Sequence, residues 1–417
     1  MEYSHRYHAY PTQEVAETVE HHIDVHRQAY NFTRYEYTTH RDADDVGSAY
    51  KHHNRLTDWK DEFPLFKEVH SKALQRTVTR FYQNLSNLSE QKANGNTVGM
   101  LKWKSPAEYQ SMTYSQSGFE LKNKSGRHAT LWLSKIGDIN IRYHREIPDK
   151  TDIKEVTIKK ETTGEWFVSF GLETDEADLP EKPDVDSLTT NNSVGIDLGI
   201  RNYIHTSDGK TVDWLDLEDE HEQLRREQRK LSRKEQGSNN YEKQRLKVAK
   251  AKRHLRQKVL DYQHKLTTWL VKEYDAVFVE DLNVKGMLEQ SHNARNKQDA
   301  AWRQFITLLE YKAELYGTHV VQVEAAGTTK ECASCGVEAA KPIWVREHSC
   351  PSCGFECDRD ANAAMNVLQR GFSELGLGWP EDTPVETALP TDTTSVSAKR
   401  VIETGSPTLN EAAPAAE

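Results

Sequence analysis

Val194-Gly195-Ile196-Asp197-Leu198-Gly199 is the stretch on which the fold turns. Val194, Ile196 and Leu198 are apolar and read as a buried strand, while Gly195 and Gly199 permit close backbone approach and a tight turn. An aspartate mid-strand is costly there unless it binds a cation or leaves the edge of the core. Two other acids stand in comparable company. Glu280 ends a second apolar strand, Ala276-Val-Phe-Val-Glu280, and Asp360 precedes Ala361-Asn-Ala-Ala364, small residues that let a helix lie close to a sheet. Singly, each has a plainer reading: Asp197 as a turn residue, Glu280 as a strand-end charge, Asp360 as a helix N-cap. Their order along the chain is harder to reach by accident.

Strand acid, strand acid, helix-start acid is the order that a nucleic-acid-cleaving, ribonuclease-H-like α/β fold requires. Hydrolysing a phosphodiester means activating a water and stabilising the leaving oxyanion, and two Mg²⁺ ions about 4 Å apart, held by carboxylates, do both. Three crowded acids repel one another without cations, so such a cluster itself points to metal.

A second metal is legible nearby. Cys332, Cys335, Cys350 and Cys353 form a C-x2-C-x14-C-x2-C frame, with Gly336 and Gly354 directly after each knuckle. Two such knuckles supply the four thiolates of a structural zinc, and the loop is one residue shorter than the usual spacing. The chain has 5 cysteines in all. Their clustering suits metal ligands in a reducing compartment better than disulfides. Cys357 and His348 stand close enough in sequence to compete for the ion.

Working outward, 417 residues suffice for two or three domains. The opening MEYSHRYHAYP lacks the apolar core of a signal peptide, and no apolar stretch is long enough to span a bilayer, so a cytoplasmic protein without a membrane partner is expected. Net charge is −10, which at face value argues against a nucleic-acid partner. The charge is segregated, however. Between Arg225 and Lys258 the sign reverses, and Arg229, Lys230, Arg233, Lys250, Arg253 and Arg256 form a basic stripe interrupted only by Glu227, Glu235 and Glu242. That is an expected nucleic-acid contact. The acidic remainder is also what a salt-loving cytoplasm favours.

Helical spacing predicts one helix from Thr12 through Val15, Val19, Ile23 and Tyr30, and another over about Glu62 to Leu88. From about Met100 the period falls to two, and His128–Ser134, Asp138–Tyr143 and Trp166–Phe170 read as antiparallel strands. These elements predict a small antiparallel β-barrel with inserted helices. A Pro/Asp/Thr/Asn-rich linker follows, then mixed α/β: Tyr203–Thr206 pairing back on the first strand, a long helical hairpin, a helix over Trp302–Tyr316, a strand at His319–Val323 and a helix over Ala361–Gln369. Residues beyond about Trp379 are Pro/Thr/Ala/Glu-rich and expected to be disordered.

Val194-Gly-Ile-Asp-Leu-Gly-Ile200, Val279-Glu-Asp-Leu282, the four-cysteine ribbon and Asp358-Arg-Asp-Ala-Asn-Ala-Ala-Met-Asn366 together resemble the TnpB/OrfB family of insertion-sequence-encoded proteins. That family is related to the type V CRISPR effectors and is often labelled transposase. The likeness reaches Tyr10-Pro-Thr12, Ala29-Tyr-Asn31 and Leu101-Lys-Trp-Lys-Ser105 more weakly. It implies an RNA-guided DNA endonuclease with a RuvC-like domain, a guide RNA transcribed from the element's end and a double-stranded DNA target. By the same resemblance, Asp197, Glu280 and Asp360 match the catalytic, Mg²⁺-holding acids. Asp360 is preferred to Asp358 because the family's acid lies two positions before the asparagine of its D-x-N-A-A phrase. Cys332, Cys335, Cys350 and Cys353 match its zinc ligands. The expected layout is a nucleic-acid-binding barrel with its helices over 1–178, a linker over 179–193 and the RuvC-like domain over 194–330. The zinc ribbon follows over 331–356, the last helix of the RuvC-like domain over 357–378 and an acidic tail over 379–417. Two other readings stay open: a transposase proper that transfers strands with the same metals, and a non-catalytic zinc-ribbon protein that coats nucleic acid.

Overall fold

In the computed structural model, which describes residues 1–40, 47–199, 202–282, 301–339, 342, 345–378 and 395–396, the chain divides into two units, Met1–Asp178 and Leu179–Glu417. The first unit opens with a strand, β1 (Glu2–Tyr10), where the sequence reading saw only a polar start. Three helices follow: α1 (Gln13–Thr39), α2 (Ala49–Glu62) and α3 (Ser71–Ala93). The Thr12 hydroxyl caps α1 by accepting from the Val15 amide. The single helix expected over Glu62–Leu88 is broken. Pro64 has no amide to donate and holds Phe63 extended, so α2 stops at Glu62, a short 3₁₀ turn spans Pro64–Lys67, and α3 begins at Ser71.

Strands β2 (Ser111–Ser115), β3 (Phe119–Ser125), β4 (His128–Leu133), β5 (Gly137–Arg142), β6 (Thr151–Lys160) and β7 (Trp166–Thr174) join β1 in one antiparallel sheet. Its order is β2-β6-β7-β1-β5-β4-β3. Alternate residues face inward, as Ala129, Leu131 and Leu133 do on β4 and Ile139 and Ile141 on β5. The barrel expected from the sequence is not closed: β2 and β3 are unpaired edges among the described residues, and the sheet is a curled half-barrel. Helices complete the core instead. Val19, Ile23 and Tyr30 of α1 and Ala73 and Phe81 of α3 pack into the same apolar cluster as the inward strand residues. Glu36, buried on α1, accepts from His52, Arg55 and Trp59 and so ties α2 to α1.

The second unit is built on a sheet buried on both faces. In chain order it contains β8 (Ser193–Asp197), β9 (Ile204–Thr206), β10 (Thr211–Val212), α4 (Glu218–Ser232), α5 (Asn239–Glu273) and β11 (Ala276–Asp281). Then come α6 (Trp302–Tyr316), β12 (His319–Glu324), β13 (Glu347–Ser349), β14 (Glu356–Asp358), α7 (Arg359–Glu374) and β15 (Ser395–Val396). The sheet order is β12-β11-β8-β9-β10-β15. β8, β11 and β12 run parallel, and β9 and β10 return antiparallel to their neighbours. Val194, Ile196, Val277 and Val279 face α5 and α6, whereas Ala276 and Phe278 face α7. This two-sided burial is why both strands read as near-continuous apolar runs. β15, beside β10, lies in the stretch expected to be disordered; the rest of 379–417 is outside the described residues. No helix among the described residues is long and apolar enough to cross a membrane.

Candidate active site and metal centre

The three acids leave the sheet and α7 at one place. Ile196 lies level with Val279 in the parallel β8–β11 pairing, so Asp197 and Glu280, the next residues, emerge together at the same strand ends. By alternation they share the face that Phe278 presents to α7, the helix that carries Asp360. Asp197 closes β8 rather than sitting mid-strand, and Glu280 is the last buried residue of β11, with exposed Asp281 beyond it. All three are buried, at 7%, 5% and 6% exposure for Asp197, Glu280 and Asp360, which excludes a solvated-charge role.

The site also separates Asp358 from Asp360. Asp358 is the N-cap of α7, its carboxylate accepting from the Asp360 amide at 2.8 Å. The helix therefore starts two residues earlier than expected, and the capping role considered for Asp360 belongs to its neighbour. Asp360 sits in the first turn, with its carboxylate turned to other partners. Arg346 donates to it at 2.8 Å, and Arg359 stands at 3.8 Å.

Burial pushes the Asp197 carboxyl well above the usual carboxylate range, and the charges of Glu280 and Asp360 push it further. Arg359 and Arg346 oppose that rise. Burial also raises Glu280, against the hydroxyl of Thr328, which donates to it at 2.5 Å, and the charge of Arg370. A site that lifts its own carboxyls in this way gains by taking up a cation.

α7 reaches the sheet because the sequence is small where they meet. A Cβ on Gly195 would lie 2.2 Å from the Ala364 carbonyl oxygen, and one on Gly371 would lie 2.1 Å from the Phe278 ring. Ala363 and Ala364 are fully buried in the contact.

The four thiols converge as the spacing predicts. All four Sγ atoms lie within 4.8 Å of one another. Cys332 and Cys353 are 3.7 Å apart and Cys335 and Cys350 3.6 Å, close to the roughly 3.8 Å edge of a tetrahedron with 2.3 Å Zn–S bonds. Each knuckle turns through a glycine with positive φ, +73° at Gly336 and +75° at Gly354, and each glycine amide donates to the first cysteine's carbonyl. The thiols fit zinc. Among the described residues only these four bring their ligand atoms so close; the acids are more loosely gathered, and Cys357 and His348 face each other across β13 and β14 outside the set.

Two asparagines join this ribbon to α7. The Asn362 amide accepts from Ala333 N and donates to the Glu331 carbonyl at 2.7 Å, and Asn366 donates to the Thr328 and Glu331 carbonyls, both at 2.8 Å. The sequence reading took Asn362 only as a small residue and a landmark for Asp360, quoted Asn366 only within the family phrase, and passed over Thr328 and Arg346. The i, i+4 spacing of the asparagines was a usable signal for one polar helix face. The other two are brought to the acids only by the folded chain.

The basic stripe lies on the α4–α5 hairpin. Arg229, Lys230, Arg233, Lys250 and Arg256 are exposed and Arg253 is half-buried. Lys230 is paired with Glu227 at 2.7 Å. No residue of α4 is fully buried, so the arm is held by α5 and turns most of its surface to solvent.

Residues 177–291 match the OrfB_IS605 family model, described as "Probable transposase", and residues 302–367 match the Cas12f1-like TNB domain. A protein of Streptomyces pristinaespiralis named "Putative RNA-guided DNA endonuclease" is 32% identical over 388 residues, covering 89% of this chain and 90% of its own. InsQ of Escherichia coli (strain K12), with the same designation, is 27% identical over 342 residues, covering 78% and 80%. Among solved structures, the chain resembles Cas12f1 from its complex with sgRNA and target DNA, at TM-score 0.56 and 14% identity over 85% of this chain and 82% of that one. It also resembles CasPhi-2 (Cas12j) bound to crRNA, at TM-score 0.51 and 11% identity over 88% and 98%. At such identities the two structures speak for the fold alone. The Streptomyces relative aligns over nearly the whole of both chains, and on that ground the chain belongs to the TnpB/OrfB family of insertion-sequence-encoded proteins.

Proposed function

We propose that this chain is an RNA-guided DNA endonuclease that hydrolyses phosphodiester bonds at Asp197, Glu280 and Asp360. The observation that carries the reading is the convergence of three buried carboxylates, from two parallel strands and a helix, at one end of the sheet. The strand order supports it: three antiparallel strands, β8 to β10, with β11 and β12 extending the sheet in parallel from β8, follow the ribonuclease-H-like, RuvC-like pattern. The names of the relatives agree with a nuclease. The acids would hold Mg²⁺, two ions in this reading, which when bound activates a water and stabilises the leaving oxyanion.

The chain's own residues prepare that site. Thr328 holds one Glu280 oxygen, Asp358 fixes the start of α7, and Arg346 holds Asp360. The RuvC-like domain comprises 194–330 and 357–378, with the ribbon of 331–356 inserted; 1–178 binds guide RNA and target DNA, and 179–193 links the two. The test is to purify the protein with its flanking transcript, sequence the bound RNA and offer a double-stranded target matching it. Cleavage at that target is expected. Joined rather than cut ends identify a transposase proper, and binding without cutting identifies a coating protein.

Two further results are expected. Freshly folded, reduced protein contains about one zinc per chain, held by Cys332, Cys335, Cys350 and Cys353. Cys335→Ser lowers the zinc content and loosens the start of α7, whereas Cys357→Ser leaves it unchanged. Zinc-free wild-type protein overturns this. On the hairpin, neutralising Arg229, Lys230, Arg233, Lys250, Arg253 and Arg256 weakens nucleic-acid binding and flattens its salt dependence. Each lost phosphate contact removes about 0.7 to 0.9 from the slope of log K against log salt. An unchanged slope returns the stripe to a solvated helix face.

A further inference from the structure

Three side chains spaced by successive turns of α1 grip one short loop. Asn31 accepts from the Lys104 amide at 2.8 Å and donates to the Lys104 carbonyl at 3.0 Å. Arg27 reaches the same carbonyl at 3.3 Å, and Arg34 donates to the Leu101 carbonyl at 2.6 Å. Ser105 closes the loop, its amide and hydroxyl donating to Glu108. The residues between these anchors, Lys102 and Trp103, face solvent. Trp103 is 52% exposed, and the Arg34 guanidinium lies 4.5 Å from its ring centroid.

A lone exposed aromatic on a mobile loop needs no explanation. Here the backbone on both sides of the indole is fixed by hydrogen bonds, so the ring is presented rather than left over. Its surroundings are cationic. Neither Lys102 nor Lys104 takes part in an ion pair among the described residues; Glu108, whose hydrogen bonds go to Ser105, is the one acid whose charge is seen to act with theirs, so cations outnumber it here. A rigid indole backed by a guanidinium and flanked by unpaired lysines suits a planar, π-faced ligand carrying negative charge beside it. An unpaired nucleotide has that chemistry.

We propose that Trp103 is a stacking platform for an unpaired base of RNA, with Lys102 and Lys104 beside its phosphates. The proposal rests on the reading that this chain binds nucleic acid. RNA is the partner because a folded RNA keeps splayed bases in its loops and ends that proteins take on aromatic rings, whereas a duplex DNA target exposes unpaired bases only while it is held open. Asn31 is then a positioning residue: it touches no base but sets where the indole stands.

The test measures affinity of the full chain for a short oligouridylate, its abasic counterpart and the matching deoxy oligonucleotide. Trp103→Ala is expected to weaken oligouridylate binding about fivefold to a hundredfold while leaving the abasic strand unaffected. Trp103→Phe retains most of the affinity. Asn31→Ala gives a partial loss with the indole still present. A 5-iodouridine label in the oligouridylate is expected to crosslink to the peptide containing Trp103. Oligouridylate affinity unchanged by Trp103→Ala overturns the platform, as does an equal loss for the abasic strand. A loss confined to the deoxy strand overturns its assignment to RNA. Wild-type protein that binds none of the strands overturns the nucleic-acid reading itself, and the platform with it.

Discussion

Asp197→Ala is expected to lower cleavage of a guide-matched DNA target by about a thousandfold or more while RNA binding persists. The size follows from its place: Asp197 is buried at the end of β8, in the field of Glu280 and Asp360, and no other carboxylate takes that position on the strand. Stability separates this from a structural role. Burial and the two neighbouring acids raise the folded-state value of Asp197, so without cations it costs stability above its unfolded value of about 3.9. Asp197→Asn removes that cost. Without added divalent cation, the variant is expected to match or exceed wild type in thermal stability at neutral pH. Its advantage should grow as pH rises from about 4 and be absent below. Cleavage should need Mg²⁺ or Mn²⁺ and fail with Ca²⁺, whose looser coordination does not support the same geometry. Asp358→Asn supplies the contrast, because asparagine also caps helices. It is expected to cut at nearly the wild-type rate while Asp360→Asn does not. Undiminished cutting by Asp197→Ala would falsify the assignment.

What could be read in the sequence was what local chemistry determines. The cysteine frame fixes its own geometry through spacing and two glycines, and its thiols meet as expected. The acids were legible because charges stand out against apolar strands, and the helix over Trp302–Tyr316 because its period is unbroken. The losses came where distant parts of the chain decide. β1 hides its alternation because two of its buried positions are His5 and Tyr7, polar by composition but packed inside the sheet. Barrel closure depends on whether β2 meets β3, which no strand pattern states, and helices from elsewhere in the sequence fill the core instead. Thr328 and Arg346 are ordinary residues until the fold sets them against Glu280 and Asp360. Asp358 and Asp360 differ by a cap, which is geometry rather than composition.

Gly195→Val is expected to cost about 3 kcal/mol or more of stability and to abolish cleavage with it. A β-carbon at that position would lie 2.2 Å from the Ala364 carbonyl oxygen and 2.4 Å from the Leu368 amide nitrogen, and both are main-chain atoms. No rotamer change relieves such contacts. Ala364→Gly should not rescue the variant, because the colliding oxygen remains. Relief requires α7 to lift from β8, and α7 carries Asp360 together with Asn362 and Asn366, which hold the ribbon. A side chain at this one position of the sheet therefore moves the third acid and loosens the cysteine knuckles. Gly99→Ala is the control: a β-carbon there meets nothing within 4 Å, and the change should stay within about 0.5 kcal/mol of wild type. Urea unfolding and cleavage, measured on both variants, distinguish this from Asp197→Ala, which loses activity and keeps its stability. A Gly195→Val protein with wild-type stability would show that α7 does not dock on β8 as closely as the three-acid site requires.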